Sequence, residues 1–78
     1  MKKIFSLVFL IILTMMIPLA YASYHQVQAL FEKGFEALQN GEFAKAISFF
    51  DQVLEIDPNY VPALNNKGSA LRILGMYE

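Results

Sequence analysis

The chain of 78 residues has no cysteine and a single histidine, His25. The first absence excludes a disulfide framework, a zinc-finger ligand set and a lipid-modified cysteine. The second leaves metal binding and acid–base catalysis poorly provisioned. Neither charge dominates: six Lys and Arg face seven Asp and Glu, for a net charge of −1. A strongly basic nucleic-acid reader and an acidic disordered tail are both excluded. No Asn-x-Ser/Thr glycosylation acceptor occurs, and no Gly-Lys-Ser/Thr follows Gly34 or Gly41 to make a phosphate loop. The length holds at most one small domain.

Two compositions are joined in this chain. Residues 1–22 carry 17 apolar residues, and residues 23–78 carry 27 of 56, an ordinary globular share. Lys2 and Lys3 are the only charges before Glu32, and from Ser23 onward the net charge is −3. The leader has the three parts of an export signal: Lys2-Lys3 as a positive start, a 14-residue run from Ile4 to Ile17, and Ala20-Tyr21-Ala22 in the small-x-small form that a signal peptidase accepts. Pro18 is expected to break the helix between run and site, since it lacks an N–H and crowds the preceding turn. Cleavage after Ala22 leaves 56 residues starting at Ser23. The competing reading is an uncleaved anchor; Ile4 to Ala22 supplies 19 residues, against about 20 needed to span a bilayer. Both readings place the rest of the chain outside the cytoplasm, as Lys2-Lys3 hold the N-terminus inside.

Residues 23–78 contain an internal repeat. Shifted by 34, the chain pairs Val27 with Val61, Ala29 with Ala63, Leu30 with Leu64, Lys33 with Lys67, Gly34 with Gly68 and Gly41 with Gly75. These are six identities in 18 pairs, with Phe43 facing Tyr77 as a conservative seventh; composition alone gives about one. A fixed period of this size is the mark of a solenoid. Within it, Val27, Leu30, Phe31, Gly34, Ala37 and Leu38 recur at helical spacing, and Asn40-Gly41 stops that helix. Phe43, Ala46, Ile47, Phe50, Val53 and Leu54 form a second stripe, ended by Asp57-Pro58-Asn59. Val61, Leu64, Gly68, Leu71 and Gly75 begin a third, with Pro62 in its first turn. The unit is helix–turn–helix, and its short links predict antiparallel neighbours.

Such a unit at this period resembles the tetratricopeptide repeat family. With Pro58 at the family's late proline, repeat one is Val27 to Tyr60 and repeat two begins at Val61, running to Glu78 as a first helix only. Gly34 and Gly68 then match the small position where the two helices of a repeat meet. Phe43 and Tyr77 match the aromatic opening the second helix, Ala46 its tight crossing and Phe50 the next aromatic. Leu54 to Tyr60 looks like the family's repeat junction. Departures are Leu30 and Leu64 for the usual tryptophan, Lys33 and Lys67 for leucine, Ala37 and Leu71 for tyrosine, and Val53 for alanine. The resemblance implies an all-α fold: a fragment of a right-handed α-solenoid, three antiparallel helices after an N-terminal hydrophobic segment.

It also implies a role. The inner face of each first helix in the family lines a concave groove that holds peptides. The matching positions here are Phe31, Phe35 and Gln39, and Asn65, Ser69, Arg72 and Ile73. The lysine/asparagine arrangement that clamps a C-terminal carboxylate in some members is absent, because Phe31 and Phe35 occupy its places. The expectation is a non-catalytic protein-binding scaffold with no cofactor, no metal and no nucleic-acid partner; aromatics are present but no basic patch lies beside them. The carboxylate pairs Glu32/Glu36 and Asp51/Glu55 read as solvated helix faces, and His25 as a solvated residue of a first turn. A second expectation concerns the third helix. Leu71, Ile73, Leu74, Met76 and Tyr77 gather near its end with only Arg72 and Glu78 to solvate them, where a terminal helix needs a polar outer face. That predicts either the front of a longer array or self-association through this helix.

Overall fold

The structure, a computed structural model, describes the backbone of residues 2–77 and the side chains of residues 4–14 and 21–76. The lysines, Ala20 and Pro18 side chains of the leader, the Tyr77 side chain and Glu78 lie outside the described residues. Three helices follow in order: α1 (Lys2–Gln39), α2 (Phe43–Ile56) and α3 (Val61–Tyr77). The fold is all-α, with helical repeat packing.

Helix α1 departs from expectation. It runs 38 residues without interruption, through Pro18, where a break is predicted. Proline in a helix interior removes one hydrogen bond at a cost of about 3 kcal/mol. That local loss does not stop a helix flanked by good formers, Leu10 to Met16 on one side and Leu19 to Ala22 on the other. The leader and the first repeat helix are therefore one rod, and the molecule measures 68 × 18 × 13 Å. The leader half packs on nothing among the described residues. Ile4, Phe5, Leu7, Phe9 and Ile11 on all sides of the helix are exposed, Phe5 by 78%. Thr14 turns its hydroxyl back to donate to the carbonyls of Leu10 (3.0 Å) and Ile11 (2.9 Å). Among the described residues, no helix is long and apolar enough to cross a membrane.

The first link is a Schellman turn. Gly41 has φ +77°, its N–H donates to the Leu38 carbonyl (3.2 Å), and the Glu42 N–H donates to the Ala37 carbonyl (2.9 Å). This reverses the chain. Ala37 of α1 and Asn40 just past its end share a cleft with Lys45 and Phe49, Gly34 lies beside Phe50, and Val27 shares a cleft with Ile56, so the two helices run antiparallel. The second link is an Asx turn: Asp57 Oδ1 accepts from the Asn59 N–H at 3.1 Å, and the Asp57 N–H closes α2 on the Val53 carbonyl at 2.8 Å.

The core is small and lies between α1 and α2, with α3 added on the far side. Val27, Ala37, Ala46, Phe50, Val53 and Ala63 are buried together, and Leu30, Phe31, Leu38, Leu54 and Tyr60 pack around them. The stripes read for α1 and α2 form this core. The stripe read for α3 does not. Val61 (58% exposed), Leu64, Gly68, Leu71 and Gly75 face away from α2, which instead meets Ala63 and Ala70. The 34-residue shift supplies the reason. Val61, Leu64, Gly68 and Leu71 are equivalent to Val27, Leu30, Gly34 and Ala37, the face with which α1 grips the helix after it. Ala63 and Ala70 are equivalent to Ala29 and Glu36, which are exposed on α1. A first helix in a solenoid has a forward face and a backward face. Helix α1 uses the forward one, and α3 the backward one.

Candidate functional site

The residues read as a groove lie on α1 and α3, helices that make little direct contact with each other; Phe31, Phe35 and Gln39 are equivalent to Asn65, Ser69 and Ile73, and Arg72 to Leu38. On α1 they form an aromatic ladder. Phe31 is half-buried, its ring 5.7 Å from Phe50 and 5.5 Å, edge-on, from Tyr60. The Phe35 ring stacks on Phe31 at 6.3 Å and 25° and is 43% exposed. Gln39 is exposed one turn further. Phe31 thus belongs to the edge of the core as much as to the surface, while Phe35 and Gln39 stand in the open. Offset aromatic pairs of this kind contribute about 0.5–1.5 kcal/mol beyond area burial, so the inner rings hold Phe35 in place.

On α3 the corresponding residues are polar apart from Ile73. Asn65 and Arg72 are exposed, Ser69 and Ile73 are half-buried, and Arg72 Nη2 donates to Ser69 Oγ at 3.5 Å. Tyr60 joins the two halves: it starts the turn into α3, with its backbone carbonyl accepting from Ala63 and Leu64, while its ring meets Phe31. The sequence reading did not assign Tyr60, although its place directly after Asp57-Pro58-Asn59 is the signal that could have done so. The α1 positions are therefore aromatic except for Gln39, and the α3 positions polar except for Ile73, with Arg72 as their cation.

Elsewhere the side chains offer little chemistry. Asp51 of α2 pairs with Lys67 of α3 at 2.6 Å, and Lys45 with Glu42 at 3.6 Å. The first pair ties α2 to α3, so Asp51 is more than part of a solvated face. Glu32 and Glu36 are exposed. His25 is exposed and sits edge-on to Tyr21, with ring centroids 4.6 Å apart. Among the described residues, no three His, Cys, Asp or Glu side chains come together as metal ligands would. Two shallow clefts flank the α1–α2 contact. One of about 270 Å³ lies between Lys33 and Glu36 of α1 and Lys45 and Phe49 of α2. The other, about 230 Å³, lies between Ser23, Tyr24 and Val27 and the junction residues Ile56, Asp57 and Tyr60.

Comparison with known proteins bears on this arrangement. The tetratricopeptide repeat family matches the chain twice, over residues 27–60 and over residues 49–78. Among curated proteins, the chain is similar to the uncharacterized protein MJ0572 of Methanocaldococcus jannaschii, with 44% identity over 48 residues. That stretch is 62% of this chain and 56% of the relative, so the chain spans little more than half the relative's length. No solved structure matches the chain.

Proposed function

The chain belongs, through residues 27–78, to the tetratricopeptide repeat family, and from that premise we propose that it is an exported, non-catalytic scaffold that binds a peptide or protein in the groove between α1 and α3. Repeats of this family mediate protein–protein interactions, so an interaction role is the family's own. The groove is the finer reading. The observation that carries it is Phe35, a large aromatic 43% exposed yet held by its stack on Phe31. A held, exposed ring with polar Gln39 one turn further on α1, and with polar Asn65, Ser69 and Arg72 on α3, suits an aromatic anchor accompanied by hydrogen-bonding groups. Export rests on the leader: Lys2-Lys3, the apolar run and Ala20-Tyr21-Ala22. An apolar helix exposed on all sides suits either removal or retention in an apolar phase.

Selection from a displayed peptide library tests the groove. Peptides enriched on the intact protein are expected to lose at least tenfold in affinity for Phe35→Ala, whose helicity stays unchanged. Enrichment that survives Phe35→Ala rejects the groove.

A second reading rests on a different observation. Val61, Leu64 and Leu71 are exposed along the forward face of α3, and nothing lies within 4 Å of where a Cβ would stand on Gly68. That face suits self-association or the next helix of a longer array. A concentration-dependent sedimentation profile, abolished by Leu64→Glu but not by Phe35→Ala, would favour it.

A further inference from the structure

We infer that Ser23 and Gln26 are a latent helix cap, idle in the intact chain, which becomes the N-terminus of α1 when the chain is cut between Ala22 and Ser23. The inference rests on the export reading above and extends it to what happens after the cut.

Two independent features meet at one peptide bond. On its N-terminal side stands Ala20-Tyr21-Ala22. On its C-terminal side Ser23-Tyr24-His25-Gln26 has the Ser-x-x-Gln form of a capping box, directly before Val27, the first buried residue of the core. In the intact chain this box caps no helix end. Ser23 lies in the middle of α1, so the N–H groups of Tyr24, His25 and Gln26 bond to carbonyls four residues back, within the leader. Among the described side chains, residues 4–14 and 21–76, the exposed Ser23 and Gln26 find no hydrogen-bond partner. A serine in a helix interior is neutral to unfavourable, but at an N-cap it is among the best residues.

Hydrolysis of the Ala22–Ser23 bond adds one water, leaving a carboxylate on Ala22 and an amine on Ser23. It removes the leader carbonyls and orphans three donors at once. Ser23 Oγ can then accept from the Gln26 N–H, and the Gln26 side-chain carbonyl from the new α-ammonium, which is the reciprocal pairing of a capping box. The new α-ammonium also emerges in the cleft whose opposite wall carries Asp57. The flanking residues Tyr21, Ala22, Ser23 and Tyr24 are all exposed, and no described residue before Val27 is buried, so the cut exposes no core. The leader is removable because the module brings its own helix start.

The test treats the intact protein in detergent with signal peptidase, reads the new N-terminus by sequencing, and melts cut and uncut forms by circular dichroism. Ser23→Ala should lower the midpoint of the cut form by about 5 °C and leave that of the uncut form unchanged or slightly raised, while Ser23→Thr restores most of the loss. Asp57→Asn, which keeps the Asx turn, should likewise lower only the cut form. Amide exchange at Gln26 gives a second readout: protection in the cut wild type, lost in cut Ser23→Ala, even if the melt is broad. Cleavage after Ala22 with Ser23→Ala silent in both readouts overturns the cap and leaves export standing. A chain that keeps Met1, or is cut elsewhere, overturns the export reading and the cap's role together.

Discussion

Gly34 and Gly68 are the same position of the repeat in opposite circumstances, and an alanine at each separates packing from propensity. A Cβ on Gly34 would stand 2.6 Å from Cε1, 2.9 Å from Cδ1 and 3.1 Å from Cζ of Phe50. That ring is fully buried and wedged among Ala46, Val53 and Phe31, so it has no free volume to retreat into. Overpacking of this kind costs about 1–3 kcal/mol. At Gly68 nothing lies within 4 Å. Both glycines are inside helices, so both alanines gain up to about 1 kcal/mol of helix propensity. Subtracting one variant from the other cancels that gain and leaves the clash alone: Gly68→Ala should be more stable than Gly34→Ala by about 1–3 kcal/mol. Urea unfolding of the two variants, followed by far-ultraviolet circular dichroism, reads the difference as a shift in midpoint at constant slope. Equal midpoints would refute the close approach of α1 and α2 at Gly34. A destabilised Gly68→Ala would show that something packs on α3 where the structure shows open space.

Three further outcomes follow from the same packing. Phe50→Ala should cost about 3–5 kcal/mol, enough to unfold so small a core, and the far-ultraviolet helix signal measures it. Gly41→Ala forces a side chain into the left-handed region at φ +77° and should cost about 1 kcal/mol, with Gly41→Asn recovering part, as read by thermal melting. Lys67→Ala should cost no more than about 1 kcal/mol, because its partner Asp51 is 48% exposed and water screens the pair; a double-mutant cycle in low and high salt gives the value.

How far the sequence carried each feature depended on whether its cause was local. The turn at Gly41, the end of α2 at Asp57-Pro58-Asn59 and the start of α3 at Val61 were legible because glycine, proline and an Asx side chain act on their own neighbours. The close approach at Gly34 was legible through the resemblance, which put Gly34 at the small position where two helices meet; that Phe50 is its neighbour is a tertiary fact. The burial of α3 was not. Its apolar stripe is the stronger sequence signal, yet Ala63 and Ala70 are what touch α2, since a helical stripe says nothing about whether its partner precedes or follows. Pro18 misled for a related reason: the cost of one missing hydrogen bond is local, and the helix-forming residues on either side outweigh it. For the candidate site, the exposed positions of Phe35, Gln39, Asn65 and Arg72 follow from the repeat register. The support beneath them did not, because Tyr60 reaches Phe31 across the α2–α3 link, a tertiary contact with no periodic trace.

The central claim is that a partner lies across Phe35 and the polar residues of α3. The most direct measurement is amide chemical-shift mapping of the folded, isotope-labelled protein during titration with a library-selected peptide. The groove account predicts shifts confined to Phe31, Phe35, Gln39, Asn65, Ser69 and Arg72, with Glu32 and Glu36 on the outer side of α1 unmoved. Shifts gathered instead on Val61, Leu64, Gly68 and Leu71 would contradict it and move the binding surface to the forward face of α3.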